Sequence, residues 1–345
     1  MKLGVSVGYW GFGVGPKEQL EIAQAAEELG YDSIWTAEAY GSDAATVLAW
    51  LAAGTTRIKL GAGILQIPAR SAAMTAMTAA TIDNLSGGRF LLGLGTSGPQ
   101  VSEGWHGVRF GKQLKRTREY VAVVRMALAH QKVEFQGETI ELPLPDGPGK
   151  ALKLTIRPIQ KRIPIYLAVL GPKNVALAGE IADGWLPVFF SPKHTAELRV
   201  PLEEGAARAG RSLEDFSICP TVNVLISEDV ESARDAMRPM LALYVGGMGS
   251  REQNFYNRLV SSYGFEREAQ EVQELYLAGR RAEAMEALPD DLIDAVSIVG
   301  PPDRAREKIR AFRDAGVDTL IVAGMAVDNE ERINQLRLVA ELAGE

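Results

Sequence analysis

Eight short apolar runs set the limits on this fold: LGVSVG, SIWTAE, IKLGAGIL, RFLLGLG, IPIYLAV, GWLPVF, FSICPTVNVLI and TLIVAG. Most are continuously apolar rather than alternating, which marks strands covered on both faces. Helical patterns lie between most of them, at about Pro16 to Leu29, Ser71 to Leu85, Leu114 to His130, Asn174 to Ile181 and Pro192 to Ala209. Strands alternating with helices give a parallel sheet under a helical layer, and eight of them close as a (β/α)8 TIM barrel. An open doubly wound sheet is the alternative. The 345 residues then form a single barrel domain, 1–345, with insertions at about 98–113, 132–161 and 246–302. The last insertion reads as largely helical, because VQELYLAGRRAEAMEAL has helical composition and apolar spacing.

The first helix is specified locally. Pro16 suits the first helical position, Leu20, Ala23, Ala26 and Leu29 form one apolar stripe, and Gly30 can take the left-handed conformation that ends a helix. The same turn is used twice: ELGYDSIW near the start is echoed by DAGVDTLI at Asp314 to Ile321.

Composition excludes several function classes. Acids and bases are interspersed at a net charge of −7, with no basic run, so no nucleic-acid partner is expected. No window approaches the ~18 apolar residues of a membrane span, and Met1 and Lys2 lead straight into a strand pattern; a soluble cytoplasmic protein is expected. One cysteine, Cys219, excludes an internal disulfide and reads as a small buried strand residue. The histidines, His106, His130 and His194, are too far apart for a local metal motif, so no metal is expected.

Two glycine patterns imitate a dinucleotide fingerprint. GFGVG fails in detail, since Pro16 or Glu18 falls where the third glycine belongs. Gly93, Gly95 and Gly98 spell a literal GxGxxG, but Pro99 and Gln100 follow with no helix expected whose N-terminus could hold a pyrophosphate. These glycines are read instead as letting a flat ligand approach the backbone.

In a barrel of this kind functional groups gather where strands end. Those ends offer Tyr9 and Trp10, then Glu38 and Tyr40, Gly63 and Ile64, Thr96 and Ser97, and finally Leu170 and Gly171 with Pro172, Lys173 and Asn174 opening the next helix. A rim of glycine, hydroxyl and aromatic groups with one acid suits a planar heterocycle better than a metal or hydrolytic triad. Lys173 and Asn174 at a helix start could hold a phosphate; the alternative is a plain connection with Lys173 in solvent. Glu38 could move a proton beside a bound ring or form a structural ion pair. Glu103 and His106 lie on the loop after strand four and could reach the same mouth, His106 as a proton donor.

Several segments together, LGVSVGYW, ELGYDSIWTAEAY, LGAGILQIPARSAAMTA, ATIDNLSGGRFLLGLGTSGPQ, IPIYLAVLGPKNVALAGEIADGWLP and SIVGPPDRAREKIRAFRDAGVDTLIVAG, resemble the luciferase-like monooxygenase superfamily, in its branch that uses the deazaflavin coenzyme F420. The likeness is greatest to methylenetetrahydromethanopterin reductases and related actinobacterial oxidoreductases. It implies a ring lying on a bulge at the end of strand three, with a non-prolyl cis bond between Gly63 and Ile64. It further implies Glu38, Thr96 and Ser97 beside the coenzyme and Leu170 to Asn174 near its phosphate-bearing side chain. Sugar-phosphate dehydrogenases of this branch carry a histidine after the acidic residue and a glutamate after strand four; this sequence has Ala39 and Gly98. Those departures argue against alcohol oxidation and for hydride transfer to an activated C=C or C=N bond of a small organic substrate. The resemblance also implies a homodimer. The alternatives are an FMN-dependent monooxygenase and a protein that only binds the coenzyme.

Overall fold

The structure, a computed structural model, describes residues 1–8, 10, 15–249 and 254–344. The barrel strands run in chain order: Lys2–Gly8, Ser33–Thr36, Lys59–Ala62 resumed at Leu65–Gln66, Phe90–Gly95, Ile165–Leu167, Gly184–Trp185, Ser217–Ile218 resumed at Thr221–Ile226, and Thr319–Gly324. Neighbours in that order pair in parallel, and the eighth returns to the first with Lys2 opposite Thr319 and Ser6 opposite Ala323. Strand seven completes the ring. Ser217 pairs with Gly184, the Cys219 and Thr221 amides donate to the carbonyls of Trp185 and Pro187, and Thr221 pairs with Ile321 on the other side. Pro220, with no amide hydrogen, interrupts the ladder, yet its carbonyl still accepts from the Ile321 amide at 2.9 Å.

The repeated helix-to-strand turn is built as its sequence requires. Gly30 and Gly316 have φ of 81° and 74°, where a side chain would be strained. The aspartate two residues on begins the strand: the Asp32 amide donates to Leu3, and the Asp318 amide to Ile218. Pro16 opens the first helix, Pro16–Glu28, and Ser71 caps the third, Ala72–Leu85, accepting from the Met74 amide at 3.1 Å.

The insertions differ from their sequence reading in three respects. A six-residue helix, Pro99–Gly104, follows Gly98 directly, where none was expected; proline at its first position hid a start that needs no amide donor there. The last insertion also contains a strand, Ser297–Gly300, which pairs along the upper half of strand seven from Asn223 to Ile226. Four residues, SIVG, between a helix and a proline carry too little periodicity to reveal a strand. Its helices begin at Val230, earlier than the expected boundary, and their shared core holds Met237, Leu241, Val245, Val260, Val272 and Ile293. That core also takes in Phe189, Val299, Leu225 and Met325, so the bundle rests on the ends of strands six to eight.

The middle insertion is a short hairpin, Phe135–Gln136 with Glu141–Leu142, held by buried carboxylates rather than by a core of its own. Glu119 accepts from the amides of Glu138, Thr139 and Ile140, and Asp83, fully buried, accepts from those of Ile159 and Gln160. Among the described residues, no helix is long and apolar enough to cross a membrane.

Candidate active site

Alternation along the strands decides what fills the barrel. Val5, Ile34, Leu60, Leu92, Leu167 and Val222 point outward into the core shared with the helices. The inward positions of the lower barrel are large: Trp35, Leu91, Tyr166, Leu186, Cys219 and Ile321 form one cluster, with Trp35 and Tyr166 edge to face at 5.5 Å. Cys219 is 1% exposed there, a packing residue whose thiol burial pushes up to about 12. One step higher the inward positions shrink to Ser6, Gly93, Gly95, Ala168, Thr221 and Ala323, with Asn223 beside Ala323 in register. Among the described residues, the side-chain filling therefore stops at Ile64 and Ala168, which lie on the lower cluster, and small residues form a cup at the C-terminal mouth.

The Gly63–Ile64 peptide at this level is cis. The glycines around it have separate packing causes. A Cβ at Gly61 would sit 2.2 Å from the Trp35 ring, one at Gly93 would sit 2.0 Å from the Ala62 carbonyl oxygen, and one at Gly95 would sit 2.5 Å from Ile64 Cδ1. A Cβ at Gly98 would meet only Gln100 Oε1, at 3.5 Å. Packing thus accounts for Gly61 and Gly93, which make room for neighbouring protein atoms, while Gly95 acts through Ile64 on the cup.

A polar network ties the rim together. Arg70, just past the 3-10 turn Ile67–Ala69, donates to both Glu38 oxygens at 2.9 and 3.0 Å and to Asp43 at 3.1 Å. Asp43 also caps the helix Ala44–Gly54 through the Thr46 amide. Burial raises the Glu38 carboxyl above its ordinary value, and the hydrogen bonds and charge of Arg70 only partly offset it. Tyr120, its phenol pushed up to about 12 by burial, contacts the Arg70 carbonyl at 3.0 Å. Gln66 joins the Ala39 carbonyl at 2.7 Å to His106 at 3.3 Å.

The sequence-derived residues divide by location. Glu38, Ile64 and His106 converge on this rim, His106 lying within electrostatic reach of Glu38. Trp10 is half-buried and fixed by Gln19 and Ser42. Tyr40 is 55% exposed, and its electrostatic interaction with Tyr244 of the last insertion reinforces the burial that raises the Tyr244 phenol. Thr96 and Ser97 follow strand four, Ser97 with φ of 57°. Glu103 turns away to accept from the Phe110 amide at 2.8 Å, closing its own loop. The Asn174 amide group donates to the Leu170 carbonyl, bracing the Gly171–Pro172 turn. Lys173 is exposed and lines an outer groove of about 490 Å³ between three helices, with Lys115, Arg118 and Glu180. Tyr9 lies outside the described residues.

Sequence reasoning missed Arg70, Gln66, Ser6, Thr221 and Asn223. Ser6, Thr221 and Asn223 were accessible through strand alternation, because each interrupts an apolar run at an inward position. Arg70 and Gln66 gave no such signal, since they follow the break in strand three.

A (β/α)8 barrel with small inward residues at the C-terminal mouth and a bulged third strand belongs to the class of barrel enzymes whose sites lie at that mouth. The chain belongs to the luciferase-like monooxygenase family, whose sequence pattern matches residues 5–319. It is 47% identical over 334 residues to a Mycobacterium tuberculosis protein bearing the name of a coenzyme F420-dependent oxidoreductase, covering 94% of this chain and 96% of that one. It is 31% identical over 308 residues to the 5,10-methylenetetrahydromethanopterin reductase of Archaeoglobus fulgidus, covering 89% of each. The solved structure of the coenzyme F420-dependent tetrahydromethanopterin reductase from Methanopyrus kandleri superposes with a TM-score of 0.83 at 27% identity, covering 99% of this chain and 97% of that one.

Proposed function

We propose that this protein is a coenzyme F420-dependent oxidoreductase that moves hydride between the deazaflavin and a small organic acceptor with an activated C=C or C=N bond. The observation that carries the reading is the cup itself: inward side chains fill the barrel up to Ile64 and then give way to Ser6, Gly95, Ala168, Thr221 and Ala323. A planar tricycle fits such a space, and the relatives' names supply its identity. Ile64 would back the ring, Gly63, Thr96 and Ser97 would border it, and the Leu170–Asn174 turn would approach its phosphate. Bound there, the coenzyme supplies the hydride chemistry; the chain orients it, excludes water and provides the proton. Strands three and seven stand on opposite walls of an eight-stranded ring, so Asn223 and Thr221 would meet the acceptor from the side facing the bulge, with Trp10 and Tyr40 at the entrance. Glu38, with both oxygens held by Arg70, serves this site by fixing the rim, and the proton-carrying group is His106.

Titrating the protein with F420 and with FMN, read by fluorescence, tests the cofactor. Tight FMN binding with no response to F420 would instead support the monooxygenase alternative. Bound reduced F420 left unoxidised by a broad set of enones and imines would favour a binding protein. Gly95→Ala makes a sharper check. The added methyl must displace Ile64 Cδ1, the far end of a flexible side chain, so stability should fall by only about 1 kcal/mol. F420 affinity should fall about tenfold, equivalent to about 1.4 kcal/mol. Unchanged affinity would remove Ile64 from the site.

The homodimer expected of this chain would form through helices Ala44–Gly54 and Ala72–Leu85. Their only charged residue is Asp83, which is buried, while Trp50, Met74 and Met77 are each about half exposed. A face without charge is complementary to its own copy about a twofold axis. Trp50→Glu should halve the mass measured by light scattering, whereas a wild-type monomer would refute the pairing.

A further inference from the structure

We infer that Gln66 is the positioning residue that sets which ring nitrogen of His106 can exchange a proton at the mouth; the inference rests on His106 being the proton-carrying group. Gln66 is 1% exposed, and it lies directly after the Gly63–Ile64 bulge in the short segment that pairs with the end of strand four, opposite Gly95. It touches three rim elements at once: its own strand, the end of strand two and the loop after strand four.

The donors and acceptors leave one arrangement. The Ala39 carbonyl can only accept, so the side-chain atom 2.7 Å from it is the Gln66 amide nitrogen. The Gln66 carbonyl oxygen therefore faces His106 Nε2 at 3.3 Å, and it too can only accept. His106 Nε2 must carry a hydrogen. In the neutral ring the lone pair then sits on Nδ1, on the far side of the imidazole from Gln66, and His106 as a whole is half-buried. Nδ1 is thus the atom that gains and loses the exchangeable proton. As hydride adds to one atom of the acceptor's double bond, the Nδ1–H bond of the imidazolium breaks and its proton bonds to the other atom. A neutral Nε2–H ring remains, and water restores the proton. Glutamine suits the position because it donates on one side and accepts on the other. A glutamate would set an oxygen against the Ala39 carbonyl, and a leucine would offer nothing to either partner.

The test uses the whole chain labelled with 15N-histidine, whose three histidines are assigned by a His106→Gln variant. At pH 8 without coenzyme, wild-type His106 is expected to hold its hydrogen on Nε2 alone, with that N–H protected from water exchange. In Gln66→Leu it should sample both tautomers and exchange rapidly. With reduced F420 and cyclohex-2-enone, the same variant should lose at least tenfold in kcat while its F420 affinity stays within twofold, and Gln66→Glu, which keeps an acceptor toward His106, should retain the Nε2–H tautomer. A wild-type hydrogen on Nδ1 overturns the inference whether or not any variant folds. So does a Gln66→Leu spectrum indistinguishable from wild type. If the tautomer behaves as expected but wild type neither binds F420 nor oxidises its reduced form, the proposed function fails and the positioning by Gln66 stands.

Discussion

Gly93→Ala is expected to destabilise the protein by about 3 kcal/mol, the upper part of the range for forcing extra volume into a packed interior. The new methyl would lie 2.0 Å from the Ala62 carbonyl oxygen, 3.2 Å from its carbon and 2.9 Å from Leu186 Cδ1. The main obstacle is backbone of the adjoining strand, which cannot rotate away as a side chain would, so strands three and four must part or the cluster beneath the cup must repack. Urea unfolding followed by circular dichroism gives the shift in midpoint. Gly98→Ala is the comparison: its Cβ meets only Gln100 Oε1, its φ is −103°, and its effect should stay below about 1 kcal/mol. A dinucleotide fingerprint would need all three glycines of LGLGTSG for its ligand and would not predict this contrast. Equal destabilisation by the two variants would defeat the packing explanation.

Arg70→Met should be comparably damaging for an electrostatic reason. The Arg70 side chain is 14% exposed and that of Glu38 10%, so removing the cation leaves a buried carboxylate without its partner, at an expected loss of about 3 kcal/mol near pH 8. The pH dependence carries the signature. Burial already raises the Glu38 carboxyl, and without Arg70 it rises further. The folded variant then keeps a proton that the unfolded chain releases, so its stability falls as pH rises from the ordinary carboxylate range to that raised value. The deficit relative to wild type should therefore be smaller at pH 5 than at pH 8, and adding Glu38→Gln should recover much of it. Thermal melts at the two pH values decide the matter. A deficit independent of pH and untouched by Glu38→Gln would mean that Arg70 acts through packing of its stem alone. Because Arg70 also holds Asp43, the cap of the second helix, loss of the arginine should loosen the rim as well as lower the melting temperature.

These two residues mark how far the sequence could be read. Gly93 was visible as part of a motif, but its cause was not, since the atom it makes room for belongs to Ala62 on another strand. Glu38 reads from sequence as a strand-end acid open to an ion pair or a proton-handling role, but the sequence does not name its partner. Arg70 lies 32 positions further on, and Gln66 and His106 are 40 apart. Lys173 was placed correctly at a helix start, but its exposure toward an outer groove depends on how three helices pack.

What the amino-acid order determined by itself is local. The eight apolar runs, the glycine and aspartate of the repeated turn at Gly30 and Gly316, the Pro16 start and the Ser71 cap all follow from backbone preferences and periodicities contained within a few residues. Closure of the ring decided the rest. It determined that Trp35, Tyr166 and Cys219 fill the lower barrel while the small residues Ser6, Thr221 and Ala323 stand at the mouth, that both Glu38 oxygens face Arg70, and that Gln66 reaches His106. The reason is physical: a strand's alternation says which residues share a face, but only the neighbours brought together by closing the sheet determine which face is inside and what each side chain meets there.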